Sequence, residues 1–245
     1  MALSLFQLVN YVLILCLLIL LARFLWMLFF HAFNQPAGWR QARKNREVPK
    51  ELLRLERSYP DKVRFYTWWF QIERLKKDNI PGSFAELGVY KGESARIIHR
   101  MDPSRKFFLF DTFEGFTLTD LNVETGEAAT YTTRHFADTS LANVMKKIDG
   151  NDNIHILKGY FPDSAEPVTG EKFALVNLDA DLYNPTKAGL EFFYPRMSQG
   201  GIILIHDYNP KWPGVVKAVD DFLSFCNIAP VIFPDRDGTI LILKA

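Results

Sequence analysis

Two cysteines in 245 residues leave little for covalent bracing. Cys16 falls in an apolar run and Cys226 near the far end, so neither a disulfide framework nor a Cys-x-x-Cys metal site is available. That pattern suits a reducing compartment. A surplus of one charge is missing as well: 29 Lys and Arg stand against 28 Asp and Glu. Without a basic field, nucleic acid is not an expected partner, and specificity has to come from a local site. No internal repeat and no low-complexity tract occurs beyond the apolar start. A clear G-x-G-x-x-G is lacking, and no Tyr-x-x-x-Lys pair follows a suitable strand, which weighs against a nicotinamide oxidoreductase.

What the chain does have is one long apolar run. From Leu3 to Phe33 the residues are mostly Leu, Ile, Val, Phe, Trp and Met, interrupted chiefly by Gln7, Asn10, Arg23 and His31. As a helix, Leu5 to Ala22 alone would span about 27 Å, close to the thickness of a bilayer's hydrocarbon. A cleaved signal peptide would need a basic start, a shorter apolar core and a small-residue cleavage site. Residues 3–33 are therefore expected to enter the membrane as a single-pass anchor. Arg40, Arg43, Lys44 and Arg46 follow it, while nothing before Leu8 is charged except the terminus, so the positive-inside rule places the rest in the cytoplasm. Residues 34–60, with Pro36, Gly38 and Pro49, are expected to form a juxtamembrane linker and short helix. Residues 61–245 are long enough for one sizeable domain.

Within that domain Lys62 to Lys77 has apolar residues at helical spacing. Strands are expected at Ser83 to Leu87, Lys106 to Phe110, Asn153 to Leu157, Phe173 to Leu178 and Gly201 to Ile205. Helices are expected between them at Glu93 to Arg100, Ser140 to Ile148 and Thr186 to Met197, the last closed by Gln199-Gly200-Gly201. A helix over Gly214 to Phe225 then leads to strands at Pro230 to Phe233 and Gly238 to Leu243, joined by Pro-Asp-Arg-Asp-Gly, a hairpin signal. The fold class is α/β: a Rossmann-like, mostly parallel sheet with right-handed crossovers, closed by an antiparallel hairpin and preceded by a transmembrane helix. In such sheets ligands bind at the carboxyl ends of the strands.

Chemistry-bearing residues cluster there. Glu86 ends the first strand, and Gly88 and Gly92 bracket a turn into the helix carrying Ser94; Glu86 suits a cationic amino group better than a pyrophosphate. A plain strand-to-helix turn is the simpler account. Asp111, followed by Thr112, stands where dinucleotide folds place the acid that binds ribose hydroxyls, against a turn-cap role. Gly159 and Tyr160 follow the third strand and should border a base, although Tyr160 and Phe161 also suit a core. Asp138-Thr-Ser140 suits a helix N-cap. Leu178-Asp-Ala-Asp-Leu-Tyr183 and Ile205-His-Asp-Tyr208 should lie side by side. Asp179 or Asp181 would then converge with His206 and Asp207 on a divalent cation such as Mg²⁺, unless these residues only cap turns. Such an ion would lower the pKa of an acceptor hydroxyl for a nearby base.

At these residues the chain resembles the macrocin O-methyltransferase (TylF-like) family of class I methyltransferases. The matching strings are Ala85-Glu-Leu-Gly-Val-Tyr-Lys-Gly-Glu-Ser94, Phe110-Asp-Thr-Phe-Glu-Gly-Phe116, Phe136-Ala-Asp-Thr-Ser140, Lys158-Gly-Tyr-Phe-Pro162, Leu178-Asp-Ala-Asp-Leu-Tyr183, Glu191-Phe-Phe-Tyr-Pro-Arg196, Gly200-Gly-Ile-Ile-Leu-Ile-His-Asp-Tyr208 and Val216-Lys-Ala-Val-Asp-Asp-Phe222. The resemblance implies S-adenosylmethionine as cofactor, contacted by Glu86 and Asp111; Gly88, Gly92, Ser94, Thr112, Gly159, Tyr160 and Asp179 are expected in the same cofactor site. It implies Mg²⁺ or another divalent cation on Asp181 and Asp207, with Asp181 also the catalytic base, and methylation of a sugar or other vicinal-diol hydroxyl; His206 is expected as a third metal ligand, as a catalytic base, or as a mere replacement in a site that binds metal poorly. Two departures stand out. His206-Asp207 replaces the paired aspartates of the antibiotic enzymes, and the anchor is foreign to soluble members. The expected acceptor is a small molecule or a lipid-linked glycan; the anchor suggests one that is itself membrane-bound, or equally recruitment to a homo-oligomer or membrane complex. A membrane-tethered cofactor-binding scaffold with a decayed metal site is the alternative to an enzyme.

Overall fold

The structure, a computed structural model, describes residues 4–33 and 35–245, without the side chains of residues 29–33. Residues 1–3, where the expected anchor begins, and Asn34, which opens the expected linker, lie outside the described residues. The chain forms two compact units, Met1–Pro49 and Lys50–Ala245. In the first, helix α1 (Leu5–Phe33) contains the stretch Leu5–Leu28, long and apolar enough to cross a membrane. Its 24 residues span about 36 Å as a helix. Helix α2 (Ala37–Lys44) follows Pro36, whose fixed φ suits a helix start, and carries Arg43 and Lys44 in its last turn.

The second unit opens with α3 (Lys50–Ser58), so the stretch expected to be linker holds two helices. Glu51 on α3 accepts from Arg96 Nη2 at 2.8 Å and Arg100 Nε at 2.7 Å, which ties α3 to helix α5 (Glu93–Met101). Helix α4 (Lys62–Lys77) starts at Asp61, whose side chain accepts from Arg64 N.

Five parallel strands follow: β1 (Ser83–Leu87), β2 (Phe107–Asp111), β3 (Ile154–Lys158), β4 (Phe173–Leu178) and β5 (Met197–Ile205). β6 (Val231–Phe233) and β7 (Thr239–Leu243) close the sheet, with β7 antiparallel to both β5 and β6. The order β3-β2-β1-β4-β5-β7-β6 reverses between β1 and β4. Right-handed crossovers running opposite ways from that point put α5 and α7 (Leu141–Ile148) on one face and α8 (Tyr183–Phe193) on the other. Helix α9 (Pro213–Cys226) packs beside α8. Alternation along the strands divides the residues between these faces. Ala85, Leu87, Val176 and Leu178 join the aromatic core with Phe110, Phe161 and Phe193. Glu86 and Asn177, one residue out of phase, meet α4 instead, where Trp68 Nε1 donates to Asn177 Oδ1 at 3.0 Å.

Three expected boundaries move by three or more residues, the first being the start of α8 at Tyr183 rather than Thr186. The helix expected over Thr186 to Met197 ends at Phe193, because Tyr194-Pro-Arg196 tightens into a 3-10 turn at Pro195. Gln199-Gly200-Gly201 does not close a helix; it lies inside β5, where the β4 register shifts between Phe173 and Leu175 and Gly200 takes a φ of 77°. That irregularity hides a strand start from alternation.

Candidate active site

The carboxyl ends of β1, β2, β4 and β5 open into a cavity of about 550 Å³, within the usual range for small-molecule sites. The loop after β1 forms its floor. Gly88 has a φ of +89°, and a Cβ there would stand 1.9 Å from the Asp179 carbonyl oxygen; only glycine lets the β1 and β4 loops approach this closely. Asp111, at the tip of β2, accepts from Val89 N and Tyr90 N, both at 2.8 Å, and from Phe113 N at 2.7 Å. The acid expected to meet a ribose therefore also holds the floor loop in shape.

Ser94, Asp111, Thr112, Gly159 and Tyr160 line the cavity with Gly88. Gly92 does not: its φ of +73° starts α5, and its Cα packs toward Val144 and Ile148 of α7. Glu86 lies beneath the floor with no exposure. Asn177 Nδ2 donates to its Oε1 at 2.7 Å, while Oε2 is buried without a hydrogen-bond partner. Burial pushes the Glu86 carboxyl up to about 8, outweighing the help of Ser94 and Asn177. The Ser94 hydroxyl stands near enough to favour the anion but out of line for a hydrogen bond to Oε2.

At the β4 and β5 ends, Asp179, His206 and Asp207 bring their ligand atoms within 4.8 Å of one another. His206 Nδ1 is 2.9 Å from Asp179 Oδ1 and 3.1 Å from Asp207 Oδ1. Of the two aspartates the sequence left open, Asp179 enters this group because it is the first residue beyond β4, level with His206, whose backbone N donates to Leu178 O. Asp181, two residues on, turns through a φ of 60° and hydrogen-bonds Asp207. Around an octahedral ion with bonds of about 2.1 Å, neighbouring donors stand about 3.0 Å apart. The His206 contacts match that spacing, and two carboxylates with one imidazole are a plausible donor set for a divalent ion. Asp179, His206 and Asp207 therefore fit a metal.

The electrostatics are tightly linked. Burial opposes charge on His206, but Asp179 and Asp207 outweigh it and push the imidazole up to about 10. Burial likewise opposes charge on Asp179, yet Arg64 and His206 hold it well below the usual carboxylate range. Burial and the neighbouring Asp179 and Asp207 push Asp181 well above that range, as expected of acids sharing a proton.

Sequence reasoning missed Arg64. From α4 it lines the cavity and donates from Nη2 to Asp179 Oδ2 at 2.7 Å. The available signal was its position: Arg64, Trp68, Ile72 and Leu75 form the buried stripe of α4, so a charge sits where periodicity calls for an apolar side chain. The roof was missed too. Residues 112–140 carry α6 (Leu118–Leu121) and an aromatic cluster in which Phe116 stacks on Tyr131 at 5.7 Å and Tyr131 meets Trp212 at 5.5 Å. Asp120 pins the roof by accepting from Tyr160 Oη and Asn184 Nδ2, and Glu124 by accepting from Tyr183 N.

Residues 31–240 match the family model described as Macrocin-O-methyltransferase (TylF). A mycinamicin III 3''-O-methyltransferase of Micromonospora griseorubida is 31% identical over 181 residues, covering 68% of this chain and 70% of that protein. A Streptomyces olivaceus enzyme, 8-demethyl-8-(2,3-dimethoxy-alpha-L-rhamnosyl)-tetracenomycin-C 4'-O-methyltransferase, is 27% identical over 150 residues, or 56% of this chain and 57% of its own length. Among solved structures, the O-methyltransferase NovP superposes with a TM-score of 0.65 at 25% identity, covering 75% of this chain and 80% of that one.

Proposed function

The chain belongs to the macrocin O-methyltransferase (TylF) family, and from that premise we propose that it is a membrane-anchored, S-adenosylmethionine-dependent and divalent-metal-dependent O-methyltransferase acting on a sugar or other vicinal-diol hydroxyl. One observation carries this: the floor loop, Asp111 and the Asp179, Asp181, His206 and Asp207 group share a single cavity, so donor and acceptor can meet in it. S-adenosylmethionine supplies a methyl group on a positively charged sulfur. When bound it would give that methyl to the acceptor oxygen and keep the C–S electron pair on sulfur, while Asp181 would take the hydroxyl proton. Burial and the neighbouring acids raise the proton affinity of Asp181 above that of a free carboxylate, which suits a base. His206 Nδ1, shared between Asp179 and Asp207, fixes how these carboxylates are oriented beside it. A divalent cation on Asp179, His206 and Asp207 would acidify the hydroxyl and orient a vicinal diol. Phe116, Phe136 and Trp212 offer aromatic faces to the apolar side of a sugar ring. The α1 helix favours an acceptor held at the membrane, such as a lipid-linked glycan, with the domain in the cytoplasm.

The alternative, a cofactor-binding scaffold without turnover, has its own support. A protonated His206 between two carboxylates supplies positive charge where a cation would otherwise do so. Full chain in detergent, given methyl-labelled S-adenosylmethionine and diol-bearing sugars with Mg²⁺ or EDTA, separates the two. Label transfer that EDTA abolishes and Mg²⁺ restores supports the enzyme; cofactor binding with no transfer under either condition supports the scaffold.

A further inference from the structure

Arg64 is a buried cation with unused donors. Its side chain is 9% exposed, and that exposure belongs to a residue lining the cavity. The contact from Nη2 to Asp179 is its only guanidinium hydrogen bond among the described residues, whereas a guanidinium offers five N–H groups. Trp68 lies beneath it, 4.9 Å from Cζ to the ring centroid, and fixes the plane of the fork. Asp179 is itself cavity-lining and 22% exposed. The pair thus presents a positive and a negative end, edge-on, to one space.

Two neighbours say what that edge receives. Ser94, in the first turn of the nine-residue helix α5, lines the same cavity, and a helix start favours anions. Ser94 and Arg64 line the same cavity, and both influence the buried Glu86 carboxyl. Burial keeps Glu86 neutral at pH 7, so it does not repel an anion arriving there.

Building on the methyltransferase function above, we propose that Arg64, with Ser94, receives the α-carboxylate of the cofactor's methionine end, while Asp179 supplies the facing negative charge for its ammonium. A zwitterion matches the open edge of an ion pair charge for charge. A sugar hydroxyl or the adenosine half of the cofactor would bring no negative charge to the guanidinium's remaining donors.

The test compares three ligands on full chain in detergent by calorimetry: S-adenosylhomocysteine; 5'-(3-aminopropylthio)-5'-deoxyadenosine, which keeps the amine and lacks the carboxylate; and 5'-methylthioadenosine, which lacks both. Wild type should prefer S-adenosylhomocysteine to the amine-only ligand by about 10- to 100-fold, the worth of a charge-assisted hydrogen bond. In Arg64→Gln that preference should collapse to about one, with 5'-methylthioadenosine affinity unchanged; Arg64→Lys should fall between. The comparison within each variant is its own control, since misfolding weakens all three ligands alike. A preference kept in Arg64→Gln, or equal loss for all three ligands, overturns the role of Arg64. Wild type binding none of the three overturns the methyltransferase function itself.

Discussion

Replacing Glu86 by Gln should make the ligand-free protein more stable, by an amount that grows with pH. The carboxyl is fully buried and pushed from 4.5 up to about 8. Between those values the folded state holds a proton that the unfolded state has released. Stability is therefore fully present below pH 4.5, falls as pH rises, and levels off above about 8. At pH 7 the cost is about 3 kcal/mol, from 2.5 pH units at about 1.4 kcal/mol each. Gln carries no such cost and keeps an acceptor for Asn177 Nδ2. The second amide group replaces an oxygen already lacking a partner, so little is lost there. For a domain of this size about 3 kcal/mol corresponds to a rise in melting temperature of roughly 6–12 °C. Tryptophan-fluorescence melting of the full chain in detergent, without ligand, reads this out at pH 5, 6, 7 and 8. Taking variant minus wild type cancels the other titrating groups. A difference that stays constant, or shrinks as pH rises, would refute the placement of a neutral carboxyl under the floor loop.

Three further outcomes follow from the site. Asp181→Asn should lower single-turnover methyl transfer by at least about 100-fold, as loss of a general base does, with S-adenosylhomocysteine affinity unchanged by calorimetry; parallel loss of binding would remove Asp181 from the base role. Gly88→Ala forces a Cβ to 1.9 Å from the Asp179 carbonyl at a φ of +89°, and should cost more than about 3 kcal/mol, seen as a lowered melting temperature together with lost cofactor binding. If residues 3–33 span the membrane with the domain inside, an impermeant maleimide should label the half-buried Cys226 only after cells are opened; labelling of intact cells would reverse the orientation.

How much of this was legible in the sequence depended on whether a residue announced itself through periodicity. β1 and β4 fall at Ser83–Leu87 and Phe173–Leu178, as expected, because each is a short, mostly apolar run bounded by turn residues, with Glu86 and Asn177 as the polar interruptions. Ser140 caps α7 by accepting from Asn143 N, as its residue type suggests. The acids beyond β4 and β5 could be placed together because parallel neighbours in register carry their ends to one rim. Which aspartate faces the histidine could not, since that rests on the two-residue turn after Leu178. Arg64 escaped because a helix wheel reads a lone charge as an interruption, and the roof because residues 112–140 have no period. Their structure comes from contacts distant in sequence, such as Glu124 with Tyr183.

The close approach of Gly88 to the Asp179 carbonyl joins the loops after β1 and β4 in one backbone seam under the cavity. Nothing can be altered in that seam without disturbing both loops, so it is a poor place to reshape the space above. Phe116, Phe136 and Trp212 line the same cavity from segments outside the sheet and take no part in the seam. Those aromatic positions can be rewritten while the seam beneath stays as it is.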